Sequence, residues 1–448
     1  MTRRAGVALL AFACTTLATA DDRCEAAKSF FADLAARGLV QGAFVIDLGG
    51  DAPCEGAHGH ADVERAIAFT PRTPSDGGSI AKTMTAAAVL QLAAQGRLDL
   101  EAPVRKYVTA YPHAATRVRH LIAHAAGLPD YDAFDRRFGV GKLRSNAMQL
   151  EAVASGQLAP AFAPGSAFNY DNAAYDTAAL VIEAVAGVPY AKYLEREFFA
   201  PLGMRDAFVR PANLADFAQP RTRGYRRRPA GLEAYDAIEG EAFHGGGNVY
   251  VSAADLQRWA AAFARGDPAV AAARGEAKRR ARLDDGRSTG LSLSSWYSDT
   301  AASRHYYTGH HQGFYAVAYW DAGRGRSFGF VVNQLLPSWL EAGVTRGLVA
   351  VLEGGPVPAL QAPATVPAPA GASRWRVDGV GEVAIAPGGG ARLRVTLPSG
   401  VGYTAFPVGK DAWYIPGLDA RLHWDPSGRL AWNTVFIQAQ GEPIAARS

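Results

Sequence analysis

Ser79-Ile80-Ala81-Lys82-Thr83-Met84-Thr85-Ala86-Ala87-Ala88-Val89-Leu90-Gln91-Leu92-Ala93-Ala94-Gln95-Gly96 is the stretch on which the reading of this chain turns. From Ile80 to Gln95 it reads as a buried apolar helix with a glycine stop. Ser79 and Lys82 stand three residues apart at its mouth and so share one helix face. A serine hydroxyl is a poor nucleophile until a neighbour takes its proton, and a desolvated lysine can do so. A serine at a helix start also lies where free backbone N–H groups converge, which favours a developing oxyanion. The tetrapeptide by itself also fits a capping serine with a surface lysine. Its setting favours chemistry, because an uncompensated lysine in an apolar stretch is costly.

Two further pieces lie downstream. Tyr170-Asp171-Asn172 follows a Pro164-Gly165 loop. A tyrosine can serve as a base when a cation favours its phenolate over a free pKa of about 10. An asparagine amide can hold a substrate carbonyl and a lysine together. Tyr307-Thr308-Gly309 falls on an expected strand and is followed by His310-His311-Gln312-Gly313-Phe314. A glycine there lets an extended substrate lie against the strand edge, and the His310 N–H could complete an oxyanion hole. A hairpin strand ending in glycine is the plainer reading of this segment.

Taken together, Ser79-x-x-Lys82, Tyr170-x-Asn172 and Tyr307-Thr308-Gly309 resemble, in order and separation, the motifs of serine β-lactamase-related proteins. These are the class C β-lactamases, penicillin-binding proteins, esterases and D-stereospecific peptidases. The resemblance runs from about residue 40 to residue 350 and includes Leu98 to Val104, His120 to Pro129 and Pro201-Leu202-Gly203-Met204. It implies an α+β fold, an antiparallel sheet flanked by helices, with a mostly helical lobe inserted after the Ser79 helix and the site in the crevice between. It implies Ser79 as acylated nucleophile, Lys82 and Tyr170 as a coupled base and acid, and Asn172 as a positioning amide. Tyr307, Thr308, Gly309 and His310 would bind substrate, with the N–H groups of Ser79 and His310 as the oxyanion hole. No metal or organic cofactor is implied.

Tyr307 departs from the family, most of whose members carry lysine or histidine there. The cation that would meet a β-lactam or peptide carboxylate is lost, and an aromatic wall is gained. A register that puts His311-Gln312-Gly313 in the motif restores an imidazole, but the Tyr307 register fits the following Gly313-Phe314 better. The expected activity is therefore a serine hydrolase on esters or amides, an esterase or D-amino-acid peptide hydrolase. A β-lactamase or D,D-peptidase, and a sensor acylated without turnover, are the alternatives.

The rest of the chain frames this core. Its 448 residues exceed one ordinary core, which predicts a large and a small domain. Residues 1–20 carry Arg3 and Arg4, an apolar run and Ala18-Thr19-Ala20, the pattern of a signal peptide cut before Asp21. Lipidation at Cys14 is the rival, but Ala11-Phe12-Ala13 makes a poor lipobox. The expected location is secreted or periplasmic. No later stretch reaches the ~20 apolar residues that cross a bilayer, and a net charge of +4 implies no nucleic-acid partner. Cys24 and Cys54 would remain as an even pair, open to a disulfide or to two buried thiols.

Residues 21–355 are expected to form the hydrolase domain, with a helix over 25–38, strands at Gly42 to Leu48 and Cys54 to His60, and a helix from Ala253 capped by Ser252. Residues 356–374 read as a Pro/Ala-rich linker, and 375–448, with short alternating segments, as a small all-β domain. The basic stretches Arg221 to Arg228 and Lys278 to Arg282 read as solvated loops. His58 and His60 are expected to pack on a strand, His120 and His124 to be structural, and His244 to line the cleft.

Overall fold

The computed structural model describes residues 19–444 apart from 130, 140–141, 143 and 218–220. Residues 1–18, which hold most of the expected signal peptide and Cys14, lie outside the described residues.

A six-stranded antiparallel sheet organises the larger unit, in the order Tyr297–Ser298, Arg304–His311, Phe314–Asp321, Arg326–Val332, Gly42–Asp47, Cys54–His58. Every residue of Gly42–Asp47 and Phe314–Asp321 is buried. Such unbroken burial requires a cover on both faces of the sheet. The helices Ala20–Ala36 and Ser338–Glu353 pack on one another at one face, and Ala253–Arg265 packs on the strands Phe314–Asp321 and Arg326–Val332 at the other. The approach of that second helix is close. A Cβ on Gly329 would stand 2.4 Å from the Ala253 carbonyl oxygen, so only glycine allows the helix to lie against the strand here. The Ala253–Arg265 helix starts at Ser252, whose hydroxyl accepts from the Asp255 N–H while Asp255 answers to the Ser252 N–H. This is the expected cap extended into a capping box.

The Ser79 helix runs from Ala81 to Ala94 after a single 3-10 turn, Gly78–Ile80. It is buried on all sides between the sheet unit and a lobe of helices that includes Val118–Ile122, Asn146–Ala154 and Asn172–Ala186. That position explains why its sequence lacks a polar face.

Eight antiparallel strands from Ser373–Val377 to Gln438–Pro443 close into a barrel. Alternate residues such as Val383 and Ile385 point inward with Trp375, Trp424 and Leu430, which fills the interior as expected for a barrel of this size. The Pro-rich segment before it packs along the larger unit. Leu360 is buried against Gly343, and its carbonyl accepts from Arg37.

A disulfide joins Cys24 of the first helix to Cys54 of the edge strand, with Cα atoms 5.5 Å apart. Several local expectations are corrected. Tyr225–Arg228 is a hairpin strand paired with Gly231–Ala234, and Arg280–Arg282 pairs with Ser288–Ser292, so neither basic stretch is simply a loop. Alternating arginines pair across the first hairpin with Glu233. The strand at Cys54 breaks at Gly59, whose φ of 79° interrupts the pleat, and His60 is exposed rather than packed.

Candidate active site

Helix geometry brings Lys82 under Ser79, and burial decides the rest. The Lys82 side chain has no solvent exposure. Its Nζ donates to Ser79 Oγ at 3.1 Å, to Asn172 Oδ1 at 2.5 Å and to the Gly246 carbonyl at 2.6 Å. An ammonium has three N–H donors, and three acceptors are supplied. Among the described residues no carboxylate forms an ion pair with it. Gly246 reaches Lys82 because Asp176 holds its loop: Asp176 Oδ1 accepts from the Gly246 N–H at 3.0 Å and Oδ2 from the Tyr131 hydroxyl at 2.5 Å. Burial pushes the Asp176 carboxyl up to about 6.

Tyr170 precedes the helix Asn172–Ala186, and its ring lies with its centroid 5.0 Å from Lys82 Nζ. The imidazole of His124 stacks on it, with centroids 4.5 Å apart and planes at 22°. His124 Nδ1 accepts from the Asp171 N–H, and complete burial holds the ring well below the usual histidine range, hence neutral. The Tyr170 hydroxyl lies 3.2 Å from the Tyr307 hydroxyl. Burial, followed by the neighbouring Tyr170 and Tyr175, pushes the Tyr307 phenol well above its ordinary value. Tyr307 therefore stays protonated and can donate to Tyr170.

The strand Arg304–His311 crosses directly in front of Ser79. A Cβ on Gly309 would lie 1.8 Å from the Gly77 carbonyl oxygen, and one on Gly78 would lie 2.7 Å from the His310 nitrogen. The backbone at His310 thus stands beside the start of the Ser79 helix. This strand pairs with Tyr297–Ser298 only through Tyr306 and His305, so among the described residues no strand flanks the outer edge from Tyr307 onward. Thr308 and His310 line, with Ser79, Tyr170 and Asn172, a cleft of about 570 Å³. His311 does not line this cleft but a smaller cavity that also borders Ser79 and Asn172, with Nδ1 2.8 Å from Asp76 Oδ2. Burial opposes its charge, but Asp76 and Glu241 outweigh that and raise its pKa.

Five of the eight predicted substrate and catalytic residues, Ser79, Tyr170, Asn172, Thr308 and His310, line this cleft, while Lys82 and Tyr307 lie behind it in contact with Ser79 and Tyr170, and Gly309 packs against Gly77. His120 bonds Asp284 and the Arg117 N–H, and His244 stacks on Tyr190 and bonds the Arg210 carbonyl. His244 is not among the residues lining the cleft, contrary to expectation. Sequence reasoning missed several participants. The Gly245-Gly246-Gly247 run reads as a turn, without indicating that one of its carbonyls faces a lysine. Glu341 pairs with His310 Nε2 at 2.8 Å and with Arg421 at 2.6 Å, and Arg421 with Asp419 at 3.1 Å. Arg421 and Asp419 belong to the barrel, more than a hundred residues from the motifs. Burial alone would push the Glu341 carboxyl up, but His310 and Arg421 hold it below the usual range.

Comparison with known proteins bears on the family and the fold. The family model described as Beta-lactamase matches residues 27–351. The chain is 26% identical over 183 residues to penicillin-binding protein 4* of Bacillus subtilis, covering 41% of each protein. It is 31% identical over 221 residues to esterase EstB of Burkholderia gladioli, covering 45% of this chain and 55% of the esterase. The chain thus spans about half or less of these relatives. Among solved structures it superposes on SurE with a TM-score of 0.64 at 22% identity, covering 94% of this chain and all of that one. It also superposes on the D-amino acid amidase of Ochrobactrum anthropi SV3 with a TM-score of 0.60 at 23% identity, covering 74% of this chain and 98% of that one. With a serine, a buried lysine and a tyrosine gathered at one cleft, and a family match across most of its length, this chain belongs to the beta-lactamase family of serine hydrolases.

Proposed function

We propose that the chain is an exported hydrolase that cleaves an uncharged ester or amide through an acyl-enzyme on Ser79. The observation that carries this is the contact of a fully buried lysine with a half-buried serine, 3.1 Å apart. Ser79 Oγ attacks the substrate carbonyl as the Lys82–Tyr170 pair takes its proton. The oxyanion meets the N–H groups of Ser79 and His310. The pair then protonates the leaving group and activates water to release the acyl chain. Asn172 orients both the substrate carbonyl and Lys82.

The substrate class follows from charge. The Tyr307–Thr308–Gly309 register is supported by the contact of Tyr307 with Tyr170, and it places a neutral phenol where a carboxylate would seek a cation. Arg421, nearby, is already committed to Glu341 and Asp419. An ester or D-amino-acid amide therefore fits better than a β-lactam. The amidase and esterase relatives point the same way. Export is supported by the leader-like start and by the disulfide, which persists in oxidising compartments. No helix among the described residues is long and apolar enough to cross a membrane.

Purified protein assayed with chromogenic esters, D-amino-acid p-nitroanilides and a chromogenic cephalosporin tests the ranking. Esters or D-amides should turn over fastest, and rapid cephalosporin turnover with slow ester turnover would reverse it. In intact-mass time courses an enzyme's adduct decays, whereas a sensor's persists.

A further inference from the structure

Within the cleft, several of the groups that acyl transfer at Ser79 leaves unused come from the barrel. Phe406, Val408, Tyr414 and Pro416 line the same cleft as Ser79 and Tyr170. Leu335, from the segment after the main sheet, lines the cleft with them. Leu335 and Val408 are 43% and 38% exposed, two of only six large apolar side chains left exposed among the described residues. Apolar surface that folding has not covered therefore gathers at the mouth of the cleft, where an apolar substrate group would cover it.

Behind this wall the barrel grips the strand that carries Thr308 and His310. Asp419 sits in the left-handed region at φ 47°, just before the barrel strand Ala420–Trp424. Its Oδ1 accepts from the Tyr414 hydroxyl and from Arg421 at 3.1 Å each, and from the Thr308 hydroxyl at 3.4 Å. Arg421 reaches on to Glu341, and Glu341 to His310. The His310 side chain, beside Ser79, is thus tied to the barrel through its contact with Glu341 and the buried ion pair that Glu341 makes with Arg421. Removing one member of such a chain leaves an uncompensated buried charge next to the oxyanion strand.

We infer that the barrel is a working part of the catalytic unit: Phe406, Val408 and Tyr414 form the wall that reads an apolar substrate group, and Arg421 is a positioning residue that holds His310 through Glu341. This rests on the acyl-transfer reading of Ser79.

The test uses the full chain and p-nitrophenyl and thioester series in which the acyl and the alcohol or thiol side are lengthened in turn from two to eight carbons. Phe406→Ala should lower kcat/KM more steeply as one side lengthens, with about a 10-fold greater loss on the longest member, carried by KM. Arg421→Met should lower kcat at least 10-fold at every length, and Arg421→Lys should recover part of that loss. Near-UV circular dichroism establishes that the variants fold. Phe406 is a half-exposed rim residue, so its variant remains informative should Arg421→Met fail to fold. Wild-type turnover with a flat length response in Phe406→Ala, or with unchanged kcat in a folded Arg421→Met, overturns the inference while leaving the Ser79 reading intact. Wild-type protein that neither turns over nor becomes acylated at Ser79 overturns both.

Discussion

At the scale of single residues, the pairing of Tyr170 with Tyr307 bears most directly on how a proton leaves Ser79. A protonated phenol donating to Tyr170 lowers the cost of negative charge there. Hydrogen bonds to charged groups contribute about 1.5–3 kcal/mol, on the order of 10- to 100-fold in rate. Tyr307→Phe should therefore lower kcat on a good ester by that factor and leave KM nearly unchanged. Steady-state kinetics that show a wild-type kcat would remove Tyr307 from the mechanism. Much at this scale is legible in the sequence, since helical spacing puts Ser79 and Lys82 on one face whatever the fold around them. The third acceptor of Lys82 is not, because a backbone carbonyl at Gly246 leaves no side-chain signature. Nor is the stack of His124 on Tyr170, which depends on two loops meeting.

Among the elements, the strand Arg304–His311 carries both the site and a buried titratable group. His305 stacks on Trp320 with ring centroids 3.8 Å apart, and its nitrogens engage Ser298 and the Ala302 carbonyl. Burial lowers its pKa from 6.5 to about 4. Above pH 6.5 the ring is neutral both folded and unfolded, and nothing is lost. As pH falls toward 4 the unfolded chain takes the proton first, so stability is present above 6.5 and is lost on descent, by about 3 kcal/mol. His305→Phe should shrink the fall in the urea midpoint between pH 6.5 and 4, and an identical fall in wild type and variant would contradict this. Runs such as Phe314 to Asp321 announce their strand through apolar, β-branched and aromatic content. Short hairpins such as Tyr225–Arg228 do not, because four charged or polar residues look like a loop until cross-strand ion pairs are seen.

For the whole molecule, two long-range ties matter. The Cys24–Cys54 disulfide closes a loop of 30 residues between the first helix and the edge strand. By the chain-entropy model it contributes about 3–4 kcal/mol. The double variant Cys24→Ser/Cys54→Ser should lower unfolding stability by that amount in denaturant titrations, while wild type under reducing conditions follows it; equal stability of variant and oxidised wild type would refute the assignment. The second tie, between barrel and cleft, was beyond sequence reasoning. Alternating short segments identify a β unit but carry no information on where its outer face docks, and Arg421 pairs with Glu341, 80 positions away. The central claim is that one hydroxyl is acylated, and peptide mapping of the trapped adduct tests it most directly. Wild-type protein quenched during ester turnover, or treated with a fluorophosphonate, should carry one adduct on the peptide containing Ser79, and Ser79→Ala should carry none and turn over nothing. An adduct mapped to another side chain, or full turnover by Ser79→Ala, would contradict the account.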